Sequence, residues 1–208
     1  MRRRQFLASS ALGCALLITA PGVLAQGVDL SNIDLTTALP DQIVLGNPNG
    51  DIEIHEFSDY FCPACQRMTA DFSQLLTEDG NIRMVLHYYP NHGERSYTFS
   101  NLGAAAYAVD PTKFYELHTW MMAQRGRLNV DQVLARMDML GYDLEAIERE
   151  RGNPTLDSMY TMNLAVAAQI GVRGTPSFVF EQQVVGGYPG NQAIVDWLAR
   201  VRAGRAGS

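Results

Sequence analysis

The segment EFSDYFCPAC, residues 56–65, decides how this 208-residue chain folds. Before it, residues 51–57 alternate between apolar and polar, which predicts a β-strand with Glu56 on the same face as two isoleucines. After it, apolar side chains recur at helical spacing as far as about residue 76. The two cysteines of the segment therefore stand where a strand gives way to a helix.

The patterns in the rest of the chain predict further β-strands, separated along the sequence by a block of helices. Residues 82–89 form a second strand, and the apolar spacing is then helical from 96 to 170. Residues 177–185 predict a hairpin that precedes a last helix, and residues 43–45 predict an edge strand. The order is β-α-β, a helical block, then β-β-α. This predicts an α/β protein, a thioredoxin fold with an all-helical insertion.

The first 25 residues have the pattern of a cleaved export signal. Arginines at positions 2–4 precede a short apolar stretch, and a small-residue cleavage site ends at Ala25. The arginine pair followed by Phe6-Leu7 also resembles a twin-arginine signal, with an ordinary Sec signal as the alternative. We therefore expect the mature protein in the periplasm.

The predicted domains follow from these elements. Residues 26–90 and 171–208 form the thioredoxin-like domain, and residues 91–170 form the helical insertion. With 47% hydrophobic and 18% charged residues, the composition suits a globular core. The formal net charge is −6, and it becomes −9 without the three signal arginines, so nothing indicates nucleic-acid binding. Cys14 leaves with the signal, so the mature chain keeps two cysteines.

Three interpretations of the remaining cysteines compete. A purely structural disulfide would stabilise the fold little, because a bridge across so short a loop removes little entropy from the unfolded chain. A zinc site needs about four ligands, and no second cysteine pair exists. A redox pair explains more: the helix N-terminus favours the thiolate of Cys62, and Pro63 fits the first helical turn. The spacing also brings Cys65 within bonding reach of Cys62.

The segment 56–65, the helical block and the later GTPSF, residues 174–178, together resemble the DsbA family of thiol:disulfide oxidoreductases. The resemblance extends from about residue 42 to the last helix. It implies that Cys62 is the exposed nucleophile and Cys65 its buried partner. It also implies that Pro63 and Ala64 tune the redox potential.

The same resemblance assigns roles to three more residues. Pro176 is expected to be cis and to face the disulfide, with Thr175 offering backbone groups to an extended substrate. Glu56 takes the place of the acid near the active disulfide, where it could exchange a proton with Cys65; a solvent-facing acid at the strand end is the alternative. Ala64 stands where the best-known members have histidine, which leaves the oxidising power open.

The expected function is disulfide donation to unfolded or newly exported proteins that contain cysteines. A membrane quinone-linked oxidase would restore the Cys62–Cys65 disulfide, and no other cofactor, metal or nucleic acid is implied. We expect a monomer. The alternatives are an exported reductase or isomerase, and a peptide-binding chaperone in which the disulfide is incidental; a kappa-type glutathione transferase has a related fold but usually lacks the cysteine pair.

Overall fold

The computed structural model describes residues 43–206, and the predicted signal peptide lies outside these residues. Its sheet has five strands in the order β1-β3-β2-β4-β5. The strands are β1 Ile43–Gly46, β2 Ile52–Ser58, β3 Ile82–Tyr88, β4 Ser177–Phe180 and β5 Gln183–Gly186. The helices are α1 Pro63–Asp79, α2 Glu94–Val109, α3 Pro111–Ala123, α4 Val130–Met139, α5 Leu144–Arg151, α6 Pro154–Ile170 and α7 Asn191–Ala206. The predicted α/β class is confirmed.

Strand β2 is the centre of the sheet and carries the cysteine segment at its end. It pairs in parallel with β3 and antiparallel with β4, so Glu56 lies opposite Leu86 on one side and Phe178 on the other. The predicted edge strand is present as β1, and it pairs antiparallel with β3. The hairpin differs slightly from the expected one, because Gln183 already belongs to β5 and only two residues form the turn.

Both faces of the sheet are covered. One face packs against α1 through Met68 and Phe72, and the other packs Phe57 and Val179 against α6. Helices α2 to α6 all lie between β3 and β4 in the chain, so the helical spacing of residues 96–170 is confirmed. The limits of the two predicted domains stay a prediction. Within residues 43–206 no helix is both long and apolar enough to cross a membrane.

Local sequence sets the ends of the helix that carries the cysteines. Pro63 occupies the first turn of α1, where its missing N–H costs no hydrogen bond. Gly80 ends the helix in the left-handed conformation, at φ 66°, and its N–H donates to the carbonyl of Leu76. The last helix ties the start of β2 to the end of α1. Its Arg202 binds Asp51, which directly precedes β2, and Asp79, the last residue of α1, each at 2.7 Å.

A close approach between α2 and the sheet depends on one glycine. The side chains of Tyr60 and Tyr88 are fully buried, and their hydroxyl oxygens are 2.7 Å apart. A Cβ atom on Gly103 would lie 2.8 Å from the Tyr60 hydroxyl and closer still to that of Tyr88. Only a glycine leaves room here for the two hydroxyl groups. The Tyr60 hydroxyl also lies 3.0 Å from Nδ1 of His118.

Candidate active site

The two cysteines lie at the start of α1, where the sequence places them. Cys62 is the N-cap residue with an extended backbone, and Cys65 lies in the first turn. Both are free thiols in the structure. Cys65 is fully buried, as expected, but Cys62 is only 5% exposed rather than open to solvent. The reason is a loop from the other half of the sheet, which lies directly over Cys62.

That covering loop contains the predicted cis proline. The Thr175–Pro176 peptide bond is cis, as the resemblance implies. Sγ of Cys62 donates to the carbonyl oxygen of Thr175 at 3.1 Å, across 113 residues of sequence. Oγ1 of Thr175 is buried and makes no hydrogen bond of normal geometry with any described residue. Thr175 thus presents both a carbonyl and a hydroxyl group near the first cysteine.

The surroundings of Cys62 favour its thiolate. Hydrogen bonding from the Cys65 thiol is the main cause that lowers the pKa of Cys62 to about 5. Burial opposes this effect, while the Thr175 side chain and the backbone N–H groups of Cys65 and Ala64 add to it. These N–H groups belong to the first turn of α1, which has no intrahelical acceptors for them. At neutral pH the reduced protein therefore carries a stabilised thiolate at Cys62.

Cys65 has the opposite tendency. Burial is the main cause that raises the pKa of Cys65 well above that of an ordinary thiol. Its hydrogen bond to Cys62 and the negative charge of Glu56 act in the same direction. Cys65 therefore holds its proton while Cys62 releases one, and the two thiols have different chemical roles.

Glu56 lies fully within the protein, at 1% exposure, so the alternative of a solvent-facing acid is wrong. Burial raises the pKa of Glu56 to about 7, with a further increase from the charge on Cys62. The Ser58 hydroxyl lies near enough to lower the pKa values of both Glu56 and Cys65. Neither Oε1 of Glu56 nor Oγ of Ser58 makes a hydrogen bond of normal geometry within residues 43–206. Glu56 is thus a buried acid that can change protonation near neutral pH.

Asp59 organises the loops around Cys62, and sequence reasoning gave it no role. Its fully buried carboxylate accepts from the N–H of Phe61 at 2.8 Å and that of Asn91 at 2.9 Å. Both oxygens also accept from Oγ of Ser96 at 2.8 Å, and Nδ1 of His92 lies 2.8 Å from Oδ2. One side chain therefore joins the cysteine segment to the loop after β3 and to α2. The one sign of this role in the sequence was the position of Asp59 between a predicted strand and the two cysteines.

The helical block reaches the active site through an arginine. The guanidinium of Arg95 lies 4.3 Å from the ring centroid of Phe61, which directly precedes Cys62. The same guanidinium donates to the carbonyl oxygens of Gly126 and Leu128, at 3.0 and 2.7 Å. The loop between α3 and α4 is thereby held beside the cysteine segment.

A groove of about 370 Å³ runs beside the loop that covers Cys62. Its lining residues come from the loop before β4, from β4 itself and from β5 with the turn after it. They are Gly171, Val172, Arg173, Gly174, Thr175, Pro176, Ser177, Val184, Gly186 and Gly187. The groove therefore includes both predicted substrate-binding residues.

A buried histidine pair lies on the opposite face of β2 from Glu56. Nδ1 of His55 is 2.8 Å from Nε2 of His87, and Nε2 of His55 is 2.9 Å from Oε1 of Glu53. Among the described residues, however, no three His, Cys, Asp or Glu side chains are grouped so that they could hold a metal ion. The pair packs beneath α6 and is separate from the cysteines.

Comparison with known proteins agrees with this geometry. Residues 38–199 match the family model described as thioredoxin. The chain belongs to the thioredoxin family. A thioredoxin-like oxidoreductase from Silicibacter pomeroyi is 32% identical and has a TM-score of 0.73; the match covers 82% of this chain and 98% of that one.

More distant thioredoxin-family structures have the same fold. The thiol-disulfide exchange protein alpha-DsbA2 from Wolbachia pipientis has a TM-score of 0.75 at 19% identity, over 83% of this chain and 93% of that one. The expected membership in the thioredoxin superfamily is confirmed. Among curated sequences, the Na(+)/H(+) antiporter NhaA 1 of Salinispora arenicola is 28% identical over 154 residues, or 73% of this chain. This chain spans about a quarter of the length of such relatives, since the match covers 24% of that antiporter.

Proposed function

We propose that this protein donates the Cys62–Cys65 disulfide to newly exported proteins. The observation that carries the proposal is the position of Cys62 at the N-cap of α1 beside the Cys65 thiol, which lowers the pKa of Cys62 to about 5. A stabilised thiolate favours the reduced form of the pair. A pair whose reduced form is favoured is a strong oxidant, because transferring its disulfide to another dithiol releases free energy.

The exchange takes place in two steps. A client thiolate attacks Sγ of Cys62, the bond between Cys62 and Cys65 breaks, and Cys65 leaves as a thiolate that takes up a proton. A second client thiolate then attacks the client sulfur of the mixed disulfide. The client leaves oxidised, Cys62 leaves as its stabilised thiolate, and two electrons have passed to this protein.

Glu56 is suited to supply the proton that Cys65 needs in the first step. It is buried near Cys65, and its raised pKa of about 7 allows it to hold a proton at neutral pH. When the pair is oxidised again, the same carboxylate can accept the proton from Cys65. Pro63 and Ala64 would act by keeping the N-terminal turn of α1 in place, while Thr175 and Pro176 would meet the client backbone.

The setting proposed for this reaction is the periplasm, and it rests on the export signal predicted at residues 1–25. A membrane quinone-linked oxidase would accept the two electrons and restore the disulfide. Such a cycle needs only the cysteine pair as its redox group.

The equilibrium redox potential of the pair in glutathione buffers tests the proposal. A potential well above that of the glutathione couple is expected for a donor. A potential near that of thioredoxin would favour the reductase alternative and contradict the donor role. Replacing both cysteines with serine tests the chaperone alternative, since only a chaperone would keep its activity.

A further inference from the structure

The groove beside the covering loop has one charged lining residue. Of the ten residues around it, only Arg173 carries a charge, and its side chain is exposed. Arg173 stands two positions before Thr175, whose carbonyl oxygen touches Sγ of Cys62. A client that reaches Cys62 along this groove therefore passes next to a guanidinium group.

The guanidinium of Arg173 has no partner in residues 43–206. It takes part in no ion pair, hydrogen bond or ring contact there. Other arginines of this protein are engaged: Arg202 binds two aspartates, and Arg136 binds Glu116 at 2.6 Å. The five donors of Arg173 are therefore available to a group that enters the groove.

The walls of the groove add little discrimination of their own. A Cβ atom placed on Gly174, Gly186 or Gly187 would meet no other atom within 4 Å. An extended main chain can therefore come close without meeting side chains from these positions. Selectivity in such a groove depends on the few side chains that it does contain, and Arg173 is the charged one.

We infer that Arg173 makes this groove select client segments with an acidic side chain next to the reacting cysteine. The inference rests on the proposed function, because it concerns the substrates of the same site. A guanidinium and a carboxylate can join through two parallel N–H···O bonds, which a neutral or basic side chain cannot reproduce. Since the pair forms at an exposed site, the preference is about two- to five-fold.

The overall charge of the protein would produce the opposite preference. The formal net charge is −6 for the whole chain and −9 without the three signal arginines, so the protein repels acidic peptides at long range. A faster reaction with acidic clients therefore has to come from a local positive group. It also has to weaken as salt is added, because the contact is exposed to solvent.

The test uses the oxidised mature protein and three peptides in which the single cysteine is flanked by Glu, Gln or Lys on both sides. The rate of mixed-disulfide formation is measured by acid quenching and mass spectrometry at low and high salt. Arg173→Gln should lower the Glu-to-Lys rate ratio about two- to five-fold at low salt. Arg173→Lys should restore part of the ratio. Comparing variants with the same peptides cancels the intrinsic reactivity of each thiol.

Arg149→Gln is the matched control, because it removes the same charge from an exposed residue of α5. It should leave the ratio unchanged. If Arg173→Gln keeps the parent's ratio, or if Arg149→Gln lowers it equally, the inference is overturned. Exchange of the parent protein with uncharged dithiothreitol separates the two proposals: its absence would remove the proposed function and this inference together, and its presence leaves the peptide ratios to decide.

Discussion

Sγ of Cys62 and the carbonyl oxygen of Thr175 are 3.1 Å apart, and the buried hydroxyl group of Thr175 also lowers the pKa of that thiol. The carbonyl is retained with any residue at this position, but the hydroxyl is not. A substitution at Thr175 can therefore remove the hydroxyl group alone, so that its contribution can be measured.

Thr175→Val should raise the pKa of Cys62 from about 5, because the variant removes a group that stabilises the thiolate. Because this hydroxyl makes no hydrogen bond of normal geometry, its removal should cost no more than ~1.5 kcal/mol, equivalent to a potential up to ~30 mV less oxidising. The ultraviolet absorbance of the thiolate during a pH titration measures the pKa. Thr175→Ser keeps the hydroxyl and should titrate like the parent; if Val and Ser behave alike, the hydroxyl group has no such role.

Glu56→Gln should stabilise the reduced protein above neutral pH. The folded-state pKa of Glu56 is about 7 against an ordinary value of 4.5, so between these values the unfolded chain releases a proton that the folded protein keeps. Stability therefore falls as pH rises through this range, by ~3 kcal/mol in all. Urea unfolding should show the variant to be more stable than the parent at pH 8, with a much smaller difference at pH 5. Equal differences at both pH values would contradict a buried titrating carboxyl.

Acid should destabilise the protein through His118. Burial lowers the pKa of His118 from 6.5 to about 4, so below pH 6.5 the unfolded state binds a proton that the folded state does not. The unfolding free energy should fall by ~3 kcal/mol between pH 6.5 and pH 4 from this residue alone. His118→Gln should reduce the slope, and the comparison is cleanest with Glu56→Gln present in both proteins, because Glu56 titrates in the opposite sense. If the unfolding free energy of His118→Gln depends on pH as steeply as that of the parent, other residues cause the acid sensitivity.

Gly103→Ala should destabilise the fold by ~1–3 kcal/mol, because the new methyl group collides with the paired hydroxyls of Tyr60 and Tyr88. Urea or thermal unfolding measures the change. Gly204→Ala in α7 is the control, since nothing lies within 4 Å of the added atom. That substitution should be neutral or slightly stabilising, as alanine favours a helix more than glycine does. If both variants unfold alike, the close approach at Gly103 is not limiting.

Local patterns predicted the fold because its decisive features are local. The alternation before Cys62 predicted the strand and placed Glu56 on the face of the two isoleucines, though it left the burial of Glu56 open. The helical spacing after Cys65 predicted α1. Such patterns report which face of an element is buried. The cis peptide bond before Pro176 came from family resemblance, because sequence by itself favours the trans form.

Contacts between distant segments were beyond these patterns. The burial of Cys62 depends on Thr175, and the carboxylate of Asp59 meets Ser96 only when α2 is docked. His55 and His87 meet because of the register between two parallel strands, which no periodicity in either strand specifies. The sequence therefore indicated the chemistry of the site but not the residues that hold it in shape.

The position of β4 beside β2 has a consequence for the newly made chain. Synthesis proceeds from the N-terminus, so Cys62 leaves the ribosome 113 residues before Thr175, the residue that covers it. Throughout that interval the thiol is not covered by the loop of Thr175, and β2 is not yet paired with β4. During this time Cys62 can form a bond with a foreign thiol before the loop of Thr175 restricts access to it. Export as a finished, folded molecule would keep the whole vulnerable interval inside the reducing cytoplasm.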